Sequence, residues 1–166
     1  MIYYTNYLSY IGTITLLSDG DALTGLRIKD GKKYLASLNQ KAEEKDNLLI
    51  FIQTIAYLDS YFYHKEDEPI PVYKLDCTPF QREVYSQLMK VKYGQTISYE
   101  ELGKHVAFAM NKTNMSSQAI GTALAKNSLP LIIPCHRVIN KSGELGNYTP
   151  GKDIKKVLLD LEKEDK

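Results

Sequence analysis

Thr78-Pro79-Phe80-Gln81-Arg82-Glu83-Val84 is where the chain changes character. Threonine before proline is a helix start. The hydroxyl can accept a bond from a first-turn N–H, and proline at the first helical position gives up a donor that would have no helical partner. Phe80, Val84, Leu88 and Val91 follow at helical spacing, and Gly94 closes the segment. Upstream, the texture is that of a sheet. Tyr3, Tyr4, Tyr7, Leu8, Tyr10, Ile11, Thr13, Ile14 and Thr15 favour strands, Ser18-Asp19-Gly20-Asp21 is a turn, and Leu23–Ile28 resumes until Asp30-Gly31. Residues 1–36 therefore read as a small antiparallel sheet, and Lys41–Asp46 as a charged loop. Apolar residues at 48, 52, 55, 58 and 62 predict an amphipathic helix over Asp46–Tyr63. The acidic, proline-bearing 64–71 reads as a linker, with one further strand at Ile70–Lys74.

Downstream of Thr78 the chain reads as mainly helical. Ser98-Tyr99-Glu100-Glu101 has capping-box spacing and opens a second helix. Phe108–Met115 is a polar break. Ser117–Lys126 is a third helix, with Asn127 suited to a left-handed turn at its end. Two helices about a break suggest a helix-turn-helix. Leu129–Ile133 is an apolar, strand-like run stopped by Pro134, Ser142-Gly143 and Gly146-Asn147 are turns, and Ile154, Val157, Leu158 and Leu161 mark a final helix. The expected fold class is α+β. Residues 1–77 form a small N-terminal antiparallel sheet plus helix, and residues 78–166 a mainly helical domain with the helix-turn-helix.

The 166 residues suffice to bury about two thirds of the unfolded surface. Hydrophobic content of 43% and charged content of 25% are those of a globular protein, not a disordered one. Two cysteines exclude a disulfide scaffold, and with three histidines leave little for a structural metal, so no metal is expected. The absence of a leader-like start or an apolar run of membrane-spanning length points to a cytoplasmic protein with reduced thiols. The net charge of +1 is an average. Residues 1–78 carry −3, residues 79–157 carry +6, and residues 158–166 carry −2. The surplus is mostly lysine, and the only arginines are Arg27, Arg82 and Arg137. It suits salt-sensitive phosphate binding by the second domain.

Cys135 follows an apolar run and a proline and precedes His136-Arg137. From the residues alone two readings stand. It is a buried, inert cysteine, or a nucleophile whose thiolate is made accessible by a nearby histidine or cation. Cys77, before a helix start, reads as structural. His64 and His105 have no metal-ligand company, and the 13 tyrosines, mostly N-terminal, read as packing. With only two cysteines and no Cys-x-x-Cys pair, a thiol redox protein and a zinc-cysteine transcriptional regulator are disfavoured.

Pro134-Cys135-His136-Arg137-Val138 resembles the signature of the methylated-DNA–protein-cysteine methyltransferases, the O6-alkylguanine-DNA alkyltransferases. In the same order, Thr78–Val84, Gly94-Gln95-Thr96-Ile97-Ser98-Tyr99, Ala119-Ile120-Gly121, Asn127, Gly146-Asn147-Tyr148 and Lys156–Leu159 to Glu162 are similar to that family. The resemblance implies direct, irreversible, single-turnover transfer of the alkyl group from O6-alkylguanine, and by extension O4-alkylthymine, to Cys135. It implies that His136 takes the thiol proton through a water and that Glu162 orients His136. It implies that Asn127 ties the recognition helix to the active-site loop and that Tyr99 donates near guanine N3. Substrate contacts would come from Val138, Tyr148, Thr149 and Pro150, and DNA contacts from Ser117, Gln118, Ala119, Gly121, Thr122, Lys126 and Arg137. No cofactor is implied. The implied partner is double-stranded DNA, met through the minor groove with the damaged base flipped out, by a monomer with no membrane or obligate protein partner.

Three positions depart from the family pattern. Gln118 stands where the family has an arginine implied to fill the gap left by the flipped base, which leaves a non-catalytic lesion binder as the rival reading. The connection 108–115 is longer than expected, with Lys112 and its asparagines read equally as phosphate contacts or as a solvated loop. Pro150 stiffens a loop position that is often glycine or aromatic.

Overall fold

The computed structural model describes residues 1–64 and 66–164. The chain forms two compact units, Met1–Leu75 and Asp76–Lys166, and its fold class is α+β.

In the first unit, β1 (Ile2–Ser9), β2 (Gly12–Ser18) and β3 (Leu23–Ile28) are successive antiparallel strands. Cross-strand partners share a face, so the register Tyr7↔Ile14↔Ile28 and Thr5↔Leu16↔Leu26 stacks one apolar face. That face meets the segment of α2 (Leu49–Asp59), where the Tyr7 hydroxyl donates to Asp59 at 2.6 Å and the Thr5 hydroxyl to Asp46 at 2.7 Å. The other face carries α1 (Gly31–Ser37). A Cβ at Gly31 would lie 1.8 Å from the Thr15 hydroxyl, so only glycine lets the helix start there.

Four features of this unit differ from the sequence expectation. The α1 segment is a helix, not sheet. It has no side-chain N-cap bond, because the Asp30 carboxylate is engaged by Arg27 instead. The charged 41–46 stretch contains β4 (Ala42–Glu44), parallel to β1, so the sheet is mixed, in the order β3-β2-β1-β4. Glu43 and Glu44 place charge on this edge, which discourages pairing with another chain. The long helix is divided into α2 and a π-helical turn, Ser60–His64. The strand expected at 70–74 reduces to one parallel bridge, Leu23↔Tyr73.

In the second unit, Thr78 caps α3 (Pro79–Leu88). Its side chain accepts from the Gln81 N–H while the Gln81 side chain accepts from the Thr78 N–H. Ser98 caps α4 (Tyr99–Ala109), and Ser116 caps α5 (Ser117–Ala125). The left-handed asparagine here is Asn111, just past the end of α4, rather than Asn127. The 129–133 run is a tight turn with Leu131 at φ +76° and a single bridge, not a strand. It leads into the 3-10 turn Cys135–Arg137 and then β6 (Val138–Ile139), which pairs parallel with β5 (Ile97–Ser98). This short ladder brings the start of α4 beside the Cys135 turn. Helix α6 (Lys152–Glu164) buries Ile154, Lys155, Leu158 and Glu162. No described helix is long and apolar enough to cross a membrane.

Candidate active site

Proline has no N–H to donate, and Pro134 takes φ −80°, ψ 63°, outside helix and strand, so the apolar segment turns sharply there. The Cys135 N–H donates to the Ile133 carbonyl at 2.8 Å and the Arg137 N–H to the Pro134 carbonyl at 3.0 Å, which fixes the turn. Cys135 is buried, at 8% exposure. Asn127 leaves the end of α5 and donates from Nδ2 to both the Ile133 carbonyl (3.0 Å) and Cys135 Sγ (3.2 Å), while its Oδ1 accepts from the Leu129 N–H. One amide therefore ties α5 to the thiol and to the turn carrying it.

Behind the turn lies a charged network with no exposed member. His136 Nε2 and Glu162 Oε2 are 2.5 Å apart. Arg137 donates to the same carboxylate from Nε at 2.7 Å and Nη2 at 3.2 Å, and from Nη1 to the Val91 carbonyl at 2.9 Å. The Gly94 N–H adds a bond to Glu162 Oε1 at 3.1 Å. Arg137 was expected at the DNA surface. It is instead 9% exposed with its guanidinium turned onto Glu162.

The residue that sequence reasoning missed is Lys155. It is fully buried, and its ammonium donates to the Val138 carbonyl at 2.6 Å and the Asn147 carbonyl at 3.3 Å, clamping the two ends of the 138–147 loop. A signal was present. Lys155 shares a helical stripe with Leu158 and Glu162, at spacings of three and seven, on a helix whose apolar face must be inward.

Burial sets the titration of these groups. Burial pushes the Cys135 thiol up to about 11, against the opposing bond from Asn127 and the charge of Lys155. Burial also lowers His136, although Glu162 acts to raise it, so a neutral imidazole is present near pH 7. Burial alone would raise Glu162, but its bonds and charge interactions with His136 and Arg137 hold it at about 2. Burial brings Lys155 down to about 8, opposed by its attraction to Cys135. The site therefore pairs a thiol reluctant to ionise with a proton acceptor, a fixed carboxylate and a nearby cation.

The remaining expected residues form the rim. Half-buried Tyr99 donates to the Asn147 carbonyl at 3.5 Å, and burial raises its hydroxyl pKa, so it stays protonated. Gly146, at φ +73°, faces it. A Cβ there would lie 2.7 Å from the Tyr99 hydroxyl, so the close approach needs glycine. Tyr148 sets its ring edge-on to His136 at 6.5 Å and keeps its hydroxyl buried with no hydrogen-bond partner. Thr149 donates to the Ala125 carbonyl at 3.4 Å, and Pro150 follows in the same turn.

Ser117, Gln118, Thr122 and Lys126 are exposed along α5, with Ala119 and Gly121 partly so. A groove of about 370 Å³ runs past Thr78, Phe80, Ser116, Gln118, Ala119 and Thr122, where the N-termini of α3 and α5 meet. Helix N-termini favour anions. A Cβ at Gly121 would meet nothing within 4 Å, so packing inside the protein does not require glycine there. Ala123, by contrast, is buried, and its carbonyl accepts from the Tyr85 hydroxyl at 2.7 Å.

Comparisons with known proteins agree along the whole chain. Residues 79–164 match the family described as 6-O-methylguanine DNA methyltransferase, DNA binding domain, and residues 2–76 that described as 6-O-methylguanine DNA methyltransferase, ribonuclease-like domain. The chain is 34% identical to a methylated-DNA–protein-cysteine methyltransferase of Metallosphaera sedula, over 98% of this chain and 94% of that one. It is 32% identical to one of Methanosarcina acetivorans, over 97% and 98%. Among solved structures it is similar to Mycobacterium tuberculosis OGT in complex with DNA, with TM-score 0.84, 31% identity, and coverage of 98% of this chain and 93% of that one.

Proposed function

The chain belongs to the methylated-DNA–protein-cysteine methyltransferase family and repairs alkylated DNA by direct alkyl transfer, and from that premise we propose that Cys135 is the acceptor and that His136, Glu162, Asn127 and Tyr99 form its machinery. The observation that carries this reading is the single buried turn in which Cys135 Sγ sits 3.2 Å from Asn127 Nδ2 and the next residue, His136, is 2.5 Å from Glu162.

The steps balance without a cofactor. The Cys135 proton passes to His136 through Nδ1, directly or by way of a water, and Glu162 stabilises the imidazolium. The thiolate sulfur attacks the alkyl carbon, the carbon–O6 bond breaks, and its electron pair leaves on the guanine. Tyr99 passes its proton to the base edge, near N3, so the base departs as neutral guanine, and the proton held on the His136 imidazolium returns to the Tyr99 phenolate through solvent. The product thioether at Cys135 has no ready return path, which makes the reaction single-turnover.

The target oxygen lies inside the duplex, so the base is flipped into the pocket bounded by Val138, Tyr148, Thr149 and Pro150. The α5 face, with Ser117, Gln118, Ala119, Gly121, Thr122 and Lys126, enters the minor groove, and the open space at Gly121 supports close approach of the sugar-phosphate chain. Gln118 fills the gap beside the orphaned base with hydrogen bonds but no charge. Arg137 is left out of this surface and placed with Glu162. In this proposal residues 78–166 bind DNA and accept the alkyl group, residues 1–77 form the separate sheet domain, and the protein acts as a cytoplasmic monomer. The rival, a lesion binder without transfer, is not favoured, because the acceptor thiol and its base are both present.

The test is a peptide mass map after incubation with a duplex containing O6-methylguanine. The expected result is a gain of one methylene on the Cys135 peptide and none in Cys135→Ala. Tight lesion binding with Cys135 unmodified would instead select the rival.

A further inference from the structure

Of Arg27, Arg82 and Arg137, only Arg137 is buried. A guanidinium does not lose its proton in a protein, so the fold encloses a permanent charge. Nε and Nη2 form a fork on the two oxygens of Glu162, at 2.7 and 3.2 Å, and Nη1 donates to the Val91 carbonyl at 2.9 Å. The Tyr93 ring lies 5.8 Å from the guanidinium carbon, and the Gly94 N–H donates to Glu162 Oε1, so the segment ahead of β5 packs on the pair. Bidentate geometry fixes the plane of the carboxylate as well as its charge. Orienting a histidine does not by itself require this cation.

The need for it lies in His136, whose Nε2 is 2.5 Å from Oε2 of the same carboxylate. A buried carboxylate left with a histidine alone draws a proton onto the ring, because one unpaired charge in the interior is less stable than an ion pair. A ring already protonated cannot receive the Cys135 proton. With Arg137 in place, Glu162 is neutralised without the histidine, so Nε2–H donates to the carboxylate and Nδ1 is an acceptor. The other groups facing His136 are Cys135 beside it in the turn, Tyr148 after β6 and Lys155 on α6. Burial is the main cause that lowers His136; the charges of Arg137 and Lys155 act the same way, and Glu162 opposes them.

We propose that Arg137 is a positioning residue for the transfer reaction, which neutralises Glu162 and so keeps His136 neutral and ready to accept the Cys135 proton at Nδ1. The inference rests on the reading of His136 as the base for Cys135. The proton leaves Cys135 Sγ and joins His136 Nδ1, and Arg137 keeps its own protons throughout. In this role Arg137 touches neither the substrate nor the thiol. The carboxylate still orients the ring and supports the imidazolium once the thiol proton arrives, but it does not draw a proton from solvent beforehand.

The experiment follows the His136 ring by NMR titration of the whole protein without DNA, in which it is one of three histidines. Arg137→Gln keeps a donor and loses the charge, whereas Arg137→Lys keeps the charge and loses the fork. In the native protein the ring should be neutral at pH 7. In Arg137→Gln its midpoint should rise by about one unit or more, and in Arg137→Lys it should stay near the native one. The acid limb of the alkyl-transfer rate should move up with it, about tenfold slower on that limb for each unit, and the native rate should return above the new midpoint. A structural loss would instead depress the rate at every pH. A native ring already protonated at pH 7 overturns the proposal, and this measurement needs no variant to fold. So does a midpoint in Arg137→Gln equal to the native one, or one in Arg137→Lys raised as far as in Arg137→Gln. A slope of log affinity for duplex against log salt that falls by about 0.9 in Arg137→Gln would return Arg137 to the DNA surface and likewise overturn it. A native protein that leaves Cys135 unmodified on an O6-methylguanine duplex removes the reading of His136 as base. A native protein that takes the methyl group, while Arg137→Gln titrates unchanged, overturns the role of Arg137 alone.

Discussion

The two units bury polar groups of opposite kinds. In Met1–Leu75 every buried polar side chain described is a hydroxyl, from Thr5, Thr15, Ser18, Thr54 or Ser60. Each is satisfied by one nearby neutral or anionic acceptor, as when Thr54 donates to the Ile50 carbonyl and Ser18 to the Ala22 carbonyl. In Asp76–Lys166 every one is ionisable, namely His136, Arg137, Lys155 and Glu162. A buried hydroxyl with a partner costs little. A buried ion loses several kcal/mol of hydration and recovers it only in good geometry. The first unit is thus organised for stability. The second accepts a desolvation cost in order to hold a base, a carboxylate and a cation beside one thiol.

The largest break in that comparison should come from Glu162→Gln. Removing the carboxylate leaves Arg137 buried without its counter-charge, at an expected loss of about 3–5 kcal/mol in urea unfolding. The pH dependence carries the same information. Glu162 is held at about 2, below the ordinary carboxylate range. Its stabilisation is therefore complete above that range and is lost as pH falls toward 2. Acid unfolding of Glu162→Gln should be flatter across that window. A variant as stable as the native protein, with the same acid profile, would remove the distinction between the units.

Lys155→Met comes next. It keeps the length of the side chain and removes the cation near the Cys135 thiol. One pKa unit is a tenfold change in thiolate fraction, so the reaction of Cys135 with iodoacetamide should slow near neutral pH, about tenfold for each unit by which the thiol rises. The pH profile should also shift upward, which a merely structural loss would not produce.

The alkyl-transfer rate should fall on the acid side as His136 takes up a proton. Burial lowers that residue, so the midpoint of the limb should lie below the ordinary histidine value of about 6.5. A midpoint above it would mean that the attraction of Glu162 outweighs desolvation. Gln118→Arg should tighten duplex binding several-fold and steepen its salt dependence, adding the charge that α5 lacks at this exposed position. The smallest effect belongs to the first unit. Thr54→Val should cost no more than about 1 kcal/mol, because the Ile50 carbonyl lies within the hydrogen-bonded α2 helix.

Much of the architecture was legible because it depends on local rules. Thr78-Pro79 and Ser98 mark helix starts through groups within three residues of themselves. The alternation of residues 2–28 fixes strands whose partners are adjacent in sequence. Distant partners decide the segments whose structure departs from their local pattern. Ala42–Glu44 carries charge suited to a loop, yet the free edge of β1, some forty residues earlier, makes it a strand. Gly31–Ser37 is too short to be stable as a helix alone and forms against Thr15. Leu129–Ile133 has strand composition but turns, because Asn127 and the Cys135 N–H both bind the Ile133 carbonyl.

The chemistry divides along the same line. By itself the sequence determined the family, through Pro134-Cys135-His136-Arg137-Val138 and the collinear segments around it, because the residues of a motif are written consecutively. Only the tertiary structure decided that Arg137 faces Glu162 rather than DNA, and that Lys155 lies fully buried with its ammonium on the Val138 carbonyl. A charged side chain reads as surface in any local window. Whether it is buried depends on which carboxylate or carbonyl the fold delivers to it from tens of residues away.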